Sequence, residues 1–163
     1  MTLSLDKENL YIPEGSRASD IVKRKLIENN GKATVYTVRG LPCKVSVSLD
    51  GTSFLCDKLK CNPPYRYEVF DAIVNFLLSR GGRAEKGNGR NHRLGEPKCD
   101  RSTIIGAIGY QYFHAKDGDS VFDPVFILAA ILDWAGIVNN ERGELVLTKN
   151  YQNLLFSLKD TEE

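Results

Sequence analysis

Apolar residues recur along this chain with different periods in different stretches. Around Asp50-Gly51 they fall on alternate positions, and Asp-Gly between two such runs is a two-residue hairpin signal. Pairing Lys44–Leu49 with Thr52–Asp57 across that turn sets Leu49 opposite Thr52, Val47 opposite Phe54 and Val45 opposite Cys56. One face then reads Cys43, Val45, Val47, Leu49, Thr52, Phe54, Cys56, and the other reads Lys44, Ser46, Ser48, Ser53, Leu55, Asp57. Before the hairpin, Ile21, Val22, Lys25, Leu26 and Asn29 place a partly apolar face on a helix over 19–29, with Gly31 as its left-handed stop. A strand over 33–39 and a break at Gly40-Leu41-Pro42 follow. Residues 1–61 thus read as an extended lead-in, a helix and a three-stranded antiparallel meander.

The composition changes at Asn62-Pro63-Pro64. Asn as a cap and Pro in the first turn predict a helix to about Arg80, with Val69, Ile73, Phe76 and Leu77 facing inward and Gly81-Gly82 ending it. Arg83–Lys98 is nearly devoid of apolar residues and reads as a long exposed loop with a short strand near 92–94. Asp100 is placed to cap a second helix over 101–115, with Ile104, Ile105, Ile108 and Tyr112 inward and Gly106 and Gly109 packing closely against another helix. Asp117-Gly118-Asp119 is a turn. Asp123 then caps a third helix with Pro124 in its first position and Gly136 as the stop. From Val125 to Leu132 that helix is apolar without interruption, the mark of a helix buried on most sides. Two strands, 137–139 and 144–148, and a short helix over 151–158 complete the order, and 159–163 reads as a mobile tail. The fold class is α+β, with a helix-plus-meander lobe (1–61) followed by a second lobe (62–158).

The second lobe has the order helix, loop, helix, helix, two-stranded hairpin. With Ala130-Ile131-Leu132-Asp133-Trp134-Ala135-Gly136-Ile137-Val138 and Gly143-Glu144-Leu145-Val146-Leu147-Thr148, it resembles the winged-helix domain over roughly residues 63–150. The resemblance implies duplex DNA binding, with the third helix in the major groove and the wing on the backbone; some winged helices are protein-interaction modules instead. This chain departs from the groove reader. The start of its third helix carries Ser120, Asp123, Val125 and Phe126, and no Lys or Arg lies between Lys116 and Arg142. Base edges are read by Arg, Lys, Asn and Gln.

Charge shifts attention to another segment. The whole chain has 22 Lys and Arg against 21 Asp and Glu, a net charge of +1, which excludes a uniformly basic nucleic-acid coat. From Arg80 to Arg101, however, seven cations face three carboxylates. Within this stretch Arg83, Lys86, Asn88, Arg90, Asn91, His92, Arg93, Lys98 and Arg101, with Arg142 at the wing, form the expected nucleic-acid-binding set. The glycines of Gly87-Asn88-Gly89-Arg90-Asn91 let backbone amides approach a phosphate, but no nucleotide-binding Gly-Lys-Ser/Thr loop is present. The same stretch also reads as a solvated loop.

The remaining chemistry is sparse. Cys43, Cys56, Cys61 and Cys99 lack the spacing of paired zinc ligands, and two of them fall on the apolar hairpin face as small hydrophobes. His92 and His114 are the only histidines, and no nucleophile elbow or paired-histidine motif occurs. Asp117, Asp119 and Asp123 lack the glycine and terminal glutamate of a calcium loop. No catalytic residue, metal or cofactor is expected. No apolar run reaches membrane-spanning length and the MTLSLDKENLYIPEG start carries no secretion signal, so the expected location is cytoplasmic. The sequence therefore points to a non-catalytic nucleic-acid-binding protein acting on duplex DNA, a transcription regulator or DNA-processing accessory. The rival is a protein-interaction module that self-associates or takes a protein partner. A nuclease using Asp50, Asp57 and Lys58 ranks third.

Overall fold

The computed structural model of the chain describes residues 12–59 and 62–161; Cys61, most of the expected lead-in, Glu162 and Glu163 lie outside them. The first helix, α1 (Ala18–Glu28), buries Ala18, Val22 and Leu26, while Asn29, expected on the inner face, is exposed. The Asp20 carboxylate accepts the backbone N–H groups of Gly15 and Arg17, and Asp71 from the next helix accepts the Ser19 N–H at 3.0 Å and its hydroxyl at 2.6 Å. Donors left open at the helix start are thus met by carboxylates. At the other end the Gly31 N–H returns to the Leu26 carbonyl at 2.7 Å with Gly31 at φ 79°, the left-handed stop its sequence position implied.

Strands β1 (Lys32–Tyr36), β2 (Pro42–Val47) and β3 (Phe54–Cys56) form an antiparallel sheet in that order. The expected register holds: Val45 opposes Cys56 and Val47 opposes Phe54. The turn is wider than expected. Pairing ends where the Ser48 N–H meets the Ser53 carbonyl at 2.9 Å, leaving Leu49–Thr52 as a four-residue loop. Leu49 is therefore fully exposed, not part of the apolar face. Ser53, expected outside, is buried because the chain after Asn62 returns alongside β3: Ser53 bridges Arg66, and the Phe54 N–H donates to the Tyr65 carbonyl. This return also explains why Pro63-Pro64 does not open a helix. Helix α2 (Glu68–Ser79) begins five residues further on and buries Val69, Ile73, Phe76 and Leu77 as its periodicity required.

Strand β4 (Arg83–Glu85) follows α2 and joins a second sheet of order β4-β6-β5, with β5 (Val138–Glu141) and β6 (Glu144–Leu147). The expected exposed loop thus starts as a sheet strand, and 92–94 is not a strand. The expected helix over 101–115 is shorter and tighter. Thr103, not Asp100, caps it, accepting the Gly106 N–H at 3.1 Å; α3 (Ile104–Ala107) then widens into a π-helical stretch, Ile108–Tyr112. Gly106 is required by the preceding loop rather than by another helix, since a Cβ there would lie 1.8 Å from the Asp100 carbonyl oxygen. A Cβ at Gly109 would lie 2.8 Å from the Leu94 side chain.

Helix α4 (Val125–Trp134) is buried at seven of its ten positions. Its cap is Pro124, one residue later than expected, and Asp123, the expected cap, accepts the first-turn Val125 N–H at 3.0 Å from outside the helix; Gly136 follows at φ 80°. Helix α5 (Lys149–Thr161) runs through residues the sequence assigned to the tail. A single contiguous core joins Val22, Val45 and Phe54 of the first stretch to Phe70, Ile73, Leu128 and Leu145 of the second. Among the described residues no helix is long and apolar enough to cross a membrane.

Candidate nucleic-acid interface

The segment between β4 and α3 has almost no regular structure, yet its backbone is tied down at both flanks. The Lys86 N–H donates to the Gly143 carbonyl at 2.8 Å, fixing the segment to the tip of the β5–β6 hairpin, and the Ile105 N–H donates to the Lys86 carbonyl at 3.1 Å. Two residues later the Asn88 N–H meets the Lys98 carbonyl at 2.6 Å. The Gly89 N–H donates to the Asp123 carboxylate at 2.9 Å, so one side chain holds both this loop and the first turn of α4. Gly87 is required by the same crowding: a Cβ there would stand 2.4 Å from the Lys98 carbonyl oxygen. Leu94 and Cys99 are buried, which corrects the expectation of a loop exposed throughout. The Leu94 N–H and carbonyl pair with Asp119 and Gly118, closing the far side of the segment onto the 117–119 turn.

The expected binding residues separate into distinct groups on this frame. Arg83 is exposed, but its guanidinium is paired with Glu144 at 2.8 Å, and that pairing holds the Glu144 carboxyl below its usual range. Lys86 is half-buried, and desolvation pulls its pKa down. Arg83 already has a carboxylate partner and Lys86 is half-buried, so both rank behind the exposed cations outside any ion pair. Asn88 turns its amide oxygen onto the N–H groups of Arg90 and Asn91, at 3.0 Å each, and so shapes the tip instead of reading a ligand. That turn leaves the Arg90 and Asn91 side chains exposed, with His92 half-buried beside them. Arg93 is exposed and donates to the Gly118 carbonyl at 3.2 Å. Lys98 and Arg142 are exposed at the two positions to which the 86–89 backbone is bonded or adjacent.

Arg101 belongs to a different surface. Its guanidinium lies over the Tyr110 ring at 3.9 Å and lines a groove with Arg80, between the end of α2 and the π-helical stretch. Sequence reasoning did not place Arg80 or Tyr110 in a site, since nothing in the sequence says that the two ends of the basic stretch meet. It also assigned Asp123 only to the helix cap; its second bond, to Gly89, has no local signal.

The other candidates have structural occupations. Cys43, Cys56 and Cys99 are buried free thiols, and burial pushes Cys56 up to about 11. Asp50 accepts from Ser48 and Thr52 within its hairpin, and Asp57 accepts the Lys44 N–H at 2.9 Å. Among the described residues no three His, Cys, Asp or Glu side chains converge as a metal group. Compared with protein-family models, curated proteins and solved structures, the chain matches none.

Proposed function

We propose that this protein binds duplex DNA without catalysis, through the loop 86–98 and the β5–β6 hairpin tip of a winged-helix-like unit. Its role would be that of a regulator or DNA-processing accessory. The observation that carries the reading is the bonding of one loop to two other places and to itself. Lys86 bonds to Gly143 at the hairpin tip, Gly89 to Asp123 just before α4, and Asn88 to Lys98 across the loop, and Arg90, Lys98 and Arg142 are exposed at or next to these bonds. In the winged-helix resemblance, the hairpin tip and the start of the third helix are the parts that meet DNA. Here the helix start offers no cation, and the loop beside it supplies them. Phosphate contacts from such side chains position a protein on a duplex and need no groove-reading helix.

A labelled duplex at low salt tests this. Reversing two charges, Lys98→Glu with Arg142→Glu, is expected to abolish binding, whereas Lys86→Met is expected to weaken it far less because Lys86 is half-buried. Binding that survives the double reversal in folded protein overturns the reading. A second reading, a protein-interaction surface, draws on Phe122, just before α4, and Phe126 in its first turn, which are 57% and 44% exposed.

A further inference from the structure

The groove beside Arg101 has chemistry that the duplex reading leaves unused. It is concave, with a volume of about 630 Å³, within the size range of small-molecule sites and larger than a lone phosphate requires. The two charged side chains lining it are both cations, Arg80 and Arg101. Among the described residues neither stands within ion-pair distance of a carboxylate. Arg80 lies over the Phe76 ring at 5.9 Å, so the neighbours of both guanidiniums on the groove wall are aromatic faces, and an anion complements their charge. The Arg101 guanidinium lies over the Tyr110 ring at 3.9 Å, which brings a cation and an aromatic face together on the groove wall. A planar ring stacks on such a surface. Asn75 and Gln111 add two amides that offer donor and acceptor together, the combination that pairs with the edge of a heterocycle. Phe76 supplies apolar wall.

A second hollow of about 450 Å³ shares Arg80, Arg101 and Tyr110 and adds Asp100 and Asp117. Asp100 accepts from Ser102, and Asp117 accepts the Tyr110 hydroxyl. Carboxylates there repel a phosphate and favour hydroxyl or amine donors. The two hollows share both arginines and Tyr110 and differ in their carboxylates, so an anion and a ring fit the first and a hydroxyl-bearing part fits the second.

We propose that this groove binds a nucleoside phosphate, either free or as an unpaired nucleotide of a strand. The phosphate lies between Arg80 and Arg101, the base stacks against the Arg101–Tyr110 pair, and the sugar hydroxyls face Asp100 and Asp117. This assignment does not rest on the duplex reading, because its residues are separate from Arg90, Lys98 and Arg142.

The test is a resonance-resolved titration of the full chain with AMP, adenosine, inorganic phosphate and a single-stranded trinucleotide. AMP is expected to shift Arg101, Tyr110 and Gln111 and to bind at least about tenfold more tightly than either adenosine or phosphate alone. Arg80→Ala and Arg101→Ala should each weaken it at least about tenfold. Arg101→Lys, which keeps the charge and loses the plane, should reduce AMP to the affinity of phosphate. Arg90→Ala with Arg93→Ala should change nothing here, so failure of duplex binding and failure of this site are read separately. Tighter binding of the trinucleotide identifies the ligand as part of a strand, and equal or weaker binding identifies a free nucleotide. Equal affinity for AMP and inorganic phosphate, or AMP shifts that persist in folded Arg80→Ala and Arg101→Ala proteins, overturns the proposal.

Discussion

Helix α4 and the 86–103 segment meet at one carboxylate, that of Asp123, and are held in place by different physics. Seven of the ten α4 residues are buried, and their order comes from removing apolar area from water. The segment buries Leu94 and Cys99 and little else; its order comes from backbone N–H groups aimed at specific carbonyls and from glycines that admit close contacts. A helix held by area tolerates a conservative apolar exchange. A loop held by individual contacts fails one contact at a time, and its polar side chains remain available to a partner. That difference is what makes the segment, and not the helix, the candidate interface.

Substitutions grade the contrast. The largest effect should come from Leu128→Ala or Ile131→Ala, both fully buried in α4, at a cost of about 2–5 kcal/mol through the cavity created. Urea unfolding measures it, and a loss below about half a kcal/mol would make α4 a surface element. Next is Gly106→Ala. Helix propensity alone favours alanine by about 1 kcal/mol. A Cβ placed 1.8 Å from the Asp100 carbonyl opposes it, and such overpacking costs about 1–3 kcal/mol or more. The net change should be destabilising, and a stabilised variant would show that the loop backbone yields freely. Asp123→Ala should cost about 1–2 kcal/mol by removing the acceptor of the first-turn Val125 N–H. Because the same carboxylate holds Gly89, hydrogen exchange should also rise at the Gly89 amide. An unchanged rate there would mean that the loop does not depend on the helix.

How much of this was legible in the sequence follows the same division. The register of Val45 with Cys56, the inward stripe of α2 and the burial of α4 all rest on repeating apolar positions, and each is as expected. Contacts between residues distant in sequence carry no such period. Arg83 pairs with Val146 in the second sheet, and three residues of β4 are too few to show alternation. Pro63-Pro64 looks like a helix start from its neighbours alone. The strand that the next residues, Tyr65 and Arg66, pair with lies earlier in the chain. Among the site residues, Arg90, Asn91, Arg93, Lys98 and Arg142 are exposed as expected. Arg83 pairs with Glu144 and Lys86 is half-buried, neither of which a count of charges reveals.

The most direct test of the account is the salt dependence of duplex binding. With Arg83 paired to Glu144 and Lys86 half-buried, four described cations on the loop and hairpin tip are exposed and outside any ion pair: Arg90, Arg93, Lys98 and Arg142. If each neutralises one phosphate, the log–log salt slope is about −3.6 by counterion release. Arg90→Ala with Arg93→Ala should flatten it by about 1.8, while the unfolding midpoint moves by less than about half a kcal/mol equivalent, as expected for exposed side chains. Absence of duplex binding at low salt in folded protein, or a slope that the double substitution leaves unchanged, would contradict the assignment of this loop as the DNA-binding element.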